Sequence, residues 1–341
     1  MKSYGEIIEE QRNRLNQKIS WWPVYLYHFT DVNNAVNIIE KECIYGRNLA
    51  IEENLMNSDN ASTSVINVTD DKVKSFARLY MRPKTPTQYH NEGYKPEHIR
   101  NKNVNANCPV PIFFILDAEK TLSINGVKFI EKGLAGHYYN NKNLLSGEEN
   151  FESLNFDKIF HTGAFSSDSD IKQFRQTEVI RDDLIPISGI VRGIACRSIA
   201  EKQTLLYLLK KTSKNKYNKY KDIISFKPEI DLFYSNGIFV KNVKFEDDAF
   251  LFELNDNGCR YNADKSNGKD IAVNINVEWL GENLKVIGRE SGSVFINYGR
   301  TKRIIHKIKT KQRSDRALIE MKFDGYLMYQ NIMQVEDYEI V

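Results

Sequence analysis

The sequence predicts an α+β fold. A sheet with flanking helices occupies residues 1–212, a lysine-rich linker follows at 213–225, and an antiparallel β-rich domain fills 226–341. Three observations carry this reading. Short β-branched and aromatic runs alternate with helix-spaced segments through the first part of the chain. The stretch KKTSKNKYNKYK at 210–221 interrupts that texture. From Phe226 onward, alternating runs such as GIFVKNVKFEDDAFLFEL and AVNINVEWLGENLKVIG are separated by Asn-Gly turns.

The elements follow in order. Residues 21–29 (WWPVYLYHF) read as a strand ending at His28. Thr30 and Asp31 then supply N-cap chemistry for a helix whose apolar positions are Val32, Ala35, Val36, Ile39 and Cys43. Residues 54–75 are polar and read as loop, with a short helix near 70–76. RLYMR at 78–82 is short and apolar, and the KTPTQYHNEG that follows it reads as a loop. VPIFFILD at 110–117 is a buried strand, residues 133–158 are irregular, and 177–181 and 187–196 are strands. Ser198 and Glu201 form a capping box for a helix with the stripe Ile199, Leu205, Leu206 and Leu209.

Composition bounds the function. Of 341 residues, 48 are Lys or Arg and 45 are Asp or Glu, a net charge of +3 that does not mark a nucleic-acid binder by itself. A 41% apolar content suffices for a core and excludes wholesale disorder. The longest apolar run, 185–196, is broken by Pro186, Arg192 and two glycines, so no membrane span is expected. The polar, acidic N-terminus does not resemble a signal peptide, and a cytoplasmic protein is the default expectation. Cys43, Cys108, Cys196 and Cys259 are too dispersed for a zinc ribbon or a disulfide framework, and they read as reduced, mostly buried thiols.

Three segments carry candidate chemistry: Tyr27-His28-Phe29-Thr30, the cation-rich RLYMRPKTPTQYHNEG at 78–93, and Arg175-Gln176-Thr177-Glu178-Val179. Each alone reads equally as structure, an exposed turn or a solvated charge cluster. Their order, a His on a first strand, an aromatic on a middle strand and a Glu on a late strand, resembles the His-Tyr-Glu pattern of NAD-dependent ADP-ribosyltransferases. YHFT, LYMRPKTPTQYHNEG and RQTEVI together resemble the DarT family of bacterial nucleic-acid ADP-ribosyltransferase toxins over roughly residues 22–212. The resemblance implies a split-sheet ADP-ribosyltransferase core, NAD as co-substrate, no metal, a single-stranded nucleic acid as acceptor and an antitoxin partner. It implies that Glu178 stabilises the developing charge, that Gln176 orients the acceptor, and that His28, Thr30 and Tyr80 hold the cofactor. The family's further catalytic arginine has three candidates, Arg47, Arg78 and Arg82; Arg82 is placed with the catalytic residues and Arg47 with the cofactor. Arg82, Lys84, Tyr89, His90 and Arg175 are assigned to the nucleic acid.

DNA is the favoured acceptor. RNA, a protein side chain, or a non-enzymatic nucleic-acid-binding role are the alternatives. Two basic stretches, 210–221 and 300–316, fit a path for a phosphate backbone. In 302–309, Lys302, Ile304, His306 and Ile308 alternate as in a strand, with Ile305 expected inward. The β-rich region is thus expected to extend that path or to dock a partner. Reversing Lys302, Arg303, Lys307 and Lys309 to Glu should weaken oligonucleotide binding and flatten its salt dependence by about 0.7 in log–log slope per lost contact. An unchanged slope assigns the stripe to partner docking or to structure.

Overall fold

The computed structural model describes residues 1–56, 69–100, 106–134, 143–164, 166, 170–268 and 270–335. Its strands are β1 (Tyr25–Asp31), β2 (Cys43–Tyr45), β3 (Phe76–Tyr80), β4 (Pro111–Asp117), β5 (Lys128–Ile130), β6 (Glu178–Asp182), β7 (Leu184–Pro186), β8 (Val191–Cys196) and β9 (Ile224–Ser225). They are followed by β10 (Val240–Glu246), β11 (Ala249–Leu254), β12 (Ile271–Leu280), β13 (Val286–Ile296), β14 (Arg303–Lys307), β15 (Arg316–Phe323) and β16 (Tyr326–Gln334).

The first sheet runs β5-β6-β3-β1-β4-β8-β9. β1 pairs with β4 along its whole length, whereas β1 and β3 pair only where Tyr27 lies opposite Tyr80. The sheet therefore divides there into two halves. Both faces of β4 are covered, which explains its uninterrupted apolar sequence. Leu26 and Phe114 join the main core beneath the helices Val32–Lys41 and Ile199–Thr212. Tyr27 and Phe113 belong to a smaller cluster under Leu232.

Several local expectations are corrected. Pro23 has no N–H to give a ladder, and residues 22–24 form a 3₁₀ turn before β1 begins. β1 continues to Asp31, so His28 lies within the strand and not at its end. Asp31 caps the next helix by accepting from the Asn33 N–H, and Cys43 belongs to β2 beyond that helix. The KTPTQYHNEG segment contains the helix Pro86–Asn91, because Thr85 caps it and Pro86 fits its first turn. The stretch 133–158 contains the short helix Glu148–Glu152 and the start of a second, Phe156–Ile159, anchored by Phe151, Phe156 and Ile159. Part of 54–75 and part of 133–158 lie outside the described residues. Strand β8 starts only at Val191, after β7 and a turn. In the helix Ile199–Thr212, Ser198 Oγ accepts from the Glu201 N–H, but the Glu201 carboxylate turns to Arg197, which leaves half a capping box. Ile199 is 45% exposed, and Ala200, Thr204, Leu205 and Leu209 are the buried stripe.

The stretch 213–225 is not an open linker. It forms the helix Lys214–Tyr220 and β9, and β9 extends the first sheet in parallel with β8. Glu42 pairs with Lys216 and Lys219, which is why these lysines lie against the fold. Cys259 is exposed, in contrast to buried Cys108 and Cys196. Among the described residues, no helix is long and apolar enough to cross a membrane.

β10-β11-β14 and β13-β12-β15-β16 form two antiparallel sheets around a second core that includes Phe250, Phe252, Trp279 and Tyr329. In β14, Ile304 and His306 face inward while Ile305 is 52% exposed, the reverse of the expected side for Ile305. The period of two fixes which residues share a face, and the inward choice went to Ile304, which opposes Phe252.

A buried polar cluster joins the two cores. Glu92 accepts from Gln88 Nε2 at 2.7 Å, from the Tyr234 N–H at 2.8 Å and from the Ser235 N–H at 2.6 Å. Arg197 lies 3.6 Å from Glu92 and 2.5 Å from Glu201. Gly93, at φ +77°, packs so closely on Gly237 that a Cβ on either would meet the other's backbone below 3 Å. Glu92→Ala would leave the Tyr234 and Ser235 N–H groups without their acceptor and the Gln88 amide with only the Leu232 carbonyl, and should cost about 1–3 kcal/mol for each buried donor left unpaired. Urea unfolding that leaves the midpoint in place would remove Glu92 from that role.

Candidate active site

Strand alternation places Tyr80, Glu178 and Ile130 in one row across β3, β6 and β5. Glu178 opens β6 and is buried. Its Oε2 accepts from the Leu134 N–H at 3.0 Å, and its Oε1 lies 3.9 Å from Arg78 Nη1. The Tyr80 hydroxyl lies close enough to the Glu178 carboxylate and to Thr87 to interact with both. Thr87 Oγ1 in turn donates to Gln176 Oε1 at 3.3 Å. Arg78 is held by donating to the Val73 carbonyl at 2.8 Å. Gly133 permits this closure, because a Cβ there would lie 2.8 Å from the Gln176 carbonyl oxygen.

Burial raises the Glu178 pKa, and Arg78, the Leu134 N–H and the Tyr80 hydroxyl oppose the rise. Burial, followed by the Glu178 charge, raises that of Tyr80. His28 is pushed down to about 4 by burial, so its imidazole is neutral at pH 7. His28 Nδ1 lies 3.0 Å from the Arg78 carbonyl, across the division of the sheet. A carbonyl cannot donate, so Nδ1 carries the hydrogen and Nε2 is left as an acceptor.

The other predicted site residues are distributed as follows. Thr30 is buried within β1, opposite Ile112. Arg47 opens the helix Arg47–Glu52, beside the start of β3, because Gly46 packs on the Ser75 carbonyl. Arg82 points inward: it donates to the carbonyls of Pro83, Ile159 and His161 and lies 4.7 Å from the Trp22 ring. A guanidinium so engaged ties β3 to the 159–161 turn and is not presented as a surface cation. Lys84 pairs with Asp231, and Arg175 reaches His161 and the Gly163 carbonyl. Tyr89 is exposed and packs edge-on against His90, Tyr234 and Tyr261.

The structure thus brings Arg78, Tyr80, Thr87, Gln176 and Glu178 together and sets Arg82 apart. Arg78 was legible in part, since it lies two residues before Tyr80 and so on the same face. Thr87 and the Leu134 N–H left no local signal, because long-range pairing delivers them. The arrangement is a preorganised carboxylate flanked by a cation and a phenol, suited to stabilising positive charge on a sugar.

The family described as "DarT: ssDNA thymidine ADP-ribosyltransferase" matches residues 27–234. The chain belongs to the DarT family of single-stranded-DNA ADP-ribosyltransferases, and it is an NAD-dependent transferase. Among solved structures, Thermus sp. 2.9 DarT in complex with NAD⁺ matches at 11% identity and a TM-score of 0.43, covering 62% of this chain and 98% of that one. The carba-NAD⁺ complex gives 12%, a TM-score of 0.45, and the same 62% and 98%. The complex with ADP-ribosylated ssDNA gives 11%, a TM-score of 0.46, 62% and 97%. No curated protein matches the chain.

Arg78→Gln removes the cation that opposes the rise of the Glu178 pKa. The acid limb of the transfer rate should then move to higher pH, read from kcat profiles of both proteins. An unmoved limb would separate Arg78 from Glu178.

Proposed function

We propose that this chain transfers ADP-ribose from NAD to the base of thymidine in single-stranded DNA, with Glu178 as the catalytic carboxylate. The observation that carries this reading is the buried Glu178 with Tyr80 on one oxygen row and Arg78 at 3.9 Å. The bond to nicotinamide already bears a cationic leaving group, and its cleavage passes through an oxocarbenium-like state. Catalysis is then chiefly positioning and charge stabilisation. Glu178 holds the nicotinamide-ribose hydroxyl and stabilises the developing charge at C1′. Arg78 fills the role of the additional arginine, keeping Glu178 ionised and its carboxylate in place. His28 accepts a hydrogen bond from the adenosine side through Nε2, and Thr30 and Arg47 border the same cofactor site. Tyr80 lies against the nicotinamide end.

The acceptor step requires the thymine ring N–H to lose its proton as the nitrogen takes C1′ and nicotinamide departs. Glu178 is the base nearest that step, and its raised pKa suits proton acceptance. Gln176 uses its Oε1 on Thr87, which leaves its amide N–H₂ to donate to a thymine carbonyl. ADP-ribose on the pairing edge of the base blocks replication. That consequence fits a cytoplasmic toxin or phage-defence effector held in check by an antitoxin protein.

Incubation of the purified chain with NAD and panels of ssDNA, RNA and protein acceptors, read by mass, tests the assignment. Thymidine-containing ssDNA should gain ADP-ribose, and Glu178→Gln should lose on the order of 10²-fold or more of the rate while staying folded. Modification of RNA or protein alone would overturn the acceptor, and wild-type rates in Glu178→Gln would overturn the carboxylate.

A further inference from the structure

Tyr261 lies beyond residue 234, where the family match ends, yet it meets the candidate acceptor side of the site. Thr87 donates to Gln176 Oε1, and Tyr89 stands on the same short helix. The Tyr89 ring is 38% exposed. Its centroid is 5.1 Å from that of Tyr234 and 5.9 Å from that of Tyr261, at interplanar angles of 84° and 89°. Both partners are half-buried, so the three rings line a surface that leads from Gln176 onto the β-rich region.

The rings are fixed in position. The Tyr261 N–H donates to the Asn236 carbonyl at 2.7 Å, and the Tyr261 carbonyl accepts from the Tyr298 hydroxyl at 3.1 Å. Asn236 Nδ2 donates to the Tyr89 carbonyl at 2.8 Å, and the Tyr234 hydroxyl donates to the Lys84 carbonyl at 2.7 Å. Cations border the platform. Lys84 Nζ lies 5.7 Å from the Tyr234 ring centre, Arg175 acts on the Tyr234 hydroxyl, and Lys172 acts on His90. Rigid, partly exposed aromatic rings bordered by cations fit unpaired bases on a phosphate backbone. A purely apolar protein partner would have no use for the charge.

We propose that Tyr89, Tyr234 and Tyr261 form a stacking platform for unpaired bases flanking the modified thymidine, with Tyr261 carrying the acceptor path onto the β-rich region. The proposal rests on single-stranded DNA being the acceptor.

The test uses the full chain and single-thymidine DNA oligonucleotides of graded length. Tyr261→Ala should weaken binding of long oligonucleotides about tenfold, the effect of one lost base stack. It should leave the shortest oligonucleotides and NAD affinity unchanged, and Tyr261→Phe should retain wild-type binding because the ring remains. Equal losses for short and long oligonucleotides, or no loss for long ones, would overturn the platform. If Tyr261→Ala does not fold, the wild-type chain decides. 2-Aminopurine scanned along the oligonucleotide should be quenched on one side of the thymidine, and uniform fluorescence overturns the proposal. Absence of wild-type transfer to any ssDNA would overturn the acceptor reading itself, whereas transfer without dependence on Tyr261 overturns only this inference.

Discussion

The buried carboxylate of Glu92 is the constraint on which much of the arrangement depends. A fully buried charge must find compensating donors, and Glu92 takes them from Gln88, from the backbone of Tyr234 and Ser235, and from Arg197 nearby. Gln88 lies on the short helix after Arg82 and Glu92 caps its C-terminus, while residues 234 and 235 follow the first sheet's last strand. Satisfying one carboxylate therefore folds the entrance of the β-rich region back against the Pro86–Asn91 helix. Arg197 completes the tie by reaching Glu201 and the Pro109 carbonyl and stacking 3.8 Å over Phe239.

The helix Ile199–Thr212 serves both cores for the same reason. Leu205 and Leu209 pack under the first sheet, whereas Ala200 belongs to the second core. Thr204 Oγ1 accepts from the Gln330 N–H, and Ser198 Oγ donates to the Val240 carbonyl. A helix whose stripe is shared in this way has a mixed polar and apolar buried face, and its simple apolar pattern misplaces Ile199.

Glu178 shows the opposite use of burial. Here the carboxylate is left with one backbone donor, one phenol and a distant cation, so its charge is supported but not neutralised by a close pair. A carboxylate in that condition retains capacity for a developing positive charge. Where the sheet divides, His28 spans the gap to the Arg78 carbonyl, and burial keeps its ring neutral.

The sequence by itself determined features set by local chemistry. These are the apolar β4, the β-rich texture after residue 226, the Gln176-Thr177-Glu178 strand start, and the family's His-Tyr-Glu order. The Thr85-Pro86 start of the short helix was also written there, although two prolines and a glycine made the segment read as a loop. Only the tertiary structure decided which arginine meets Glu178, why Arg82 turns into carbonyls beside Trp22, and how Tyr261 comes to lie on Tyr89. The physical reason is that a period of two or 3.6 says which residues share a face. What that face meets depends on pairing between distant segments and on where buried charges find their donors.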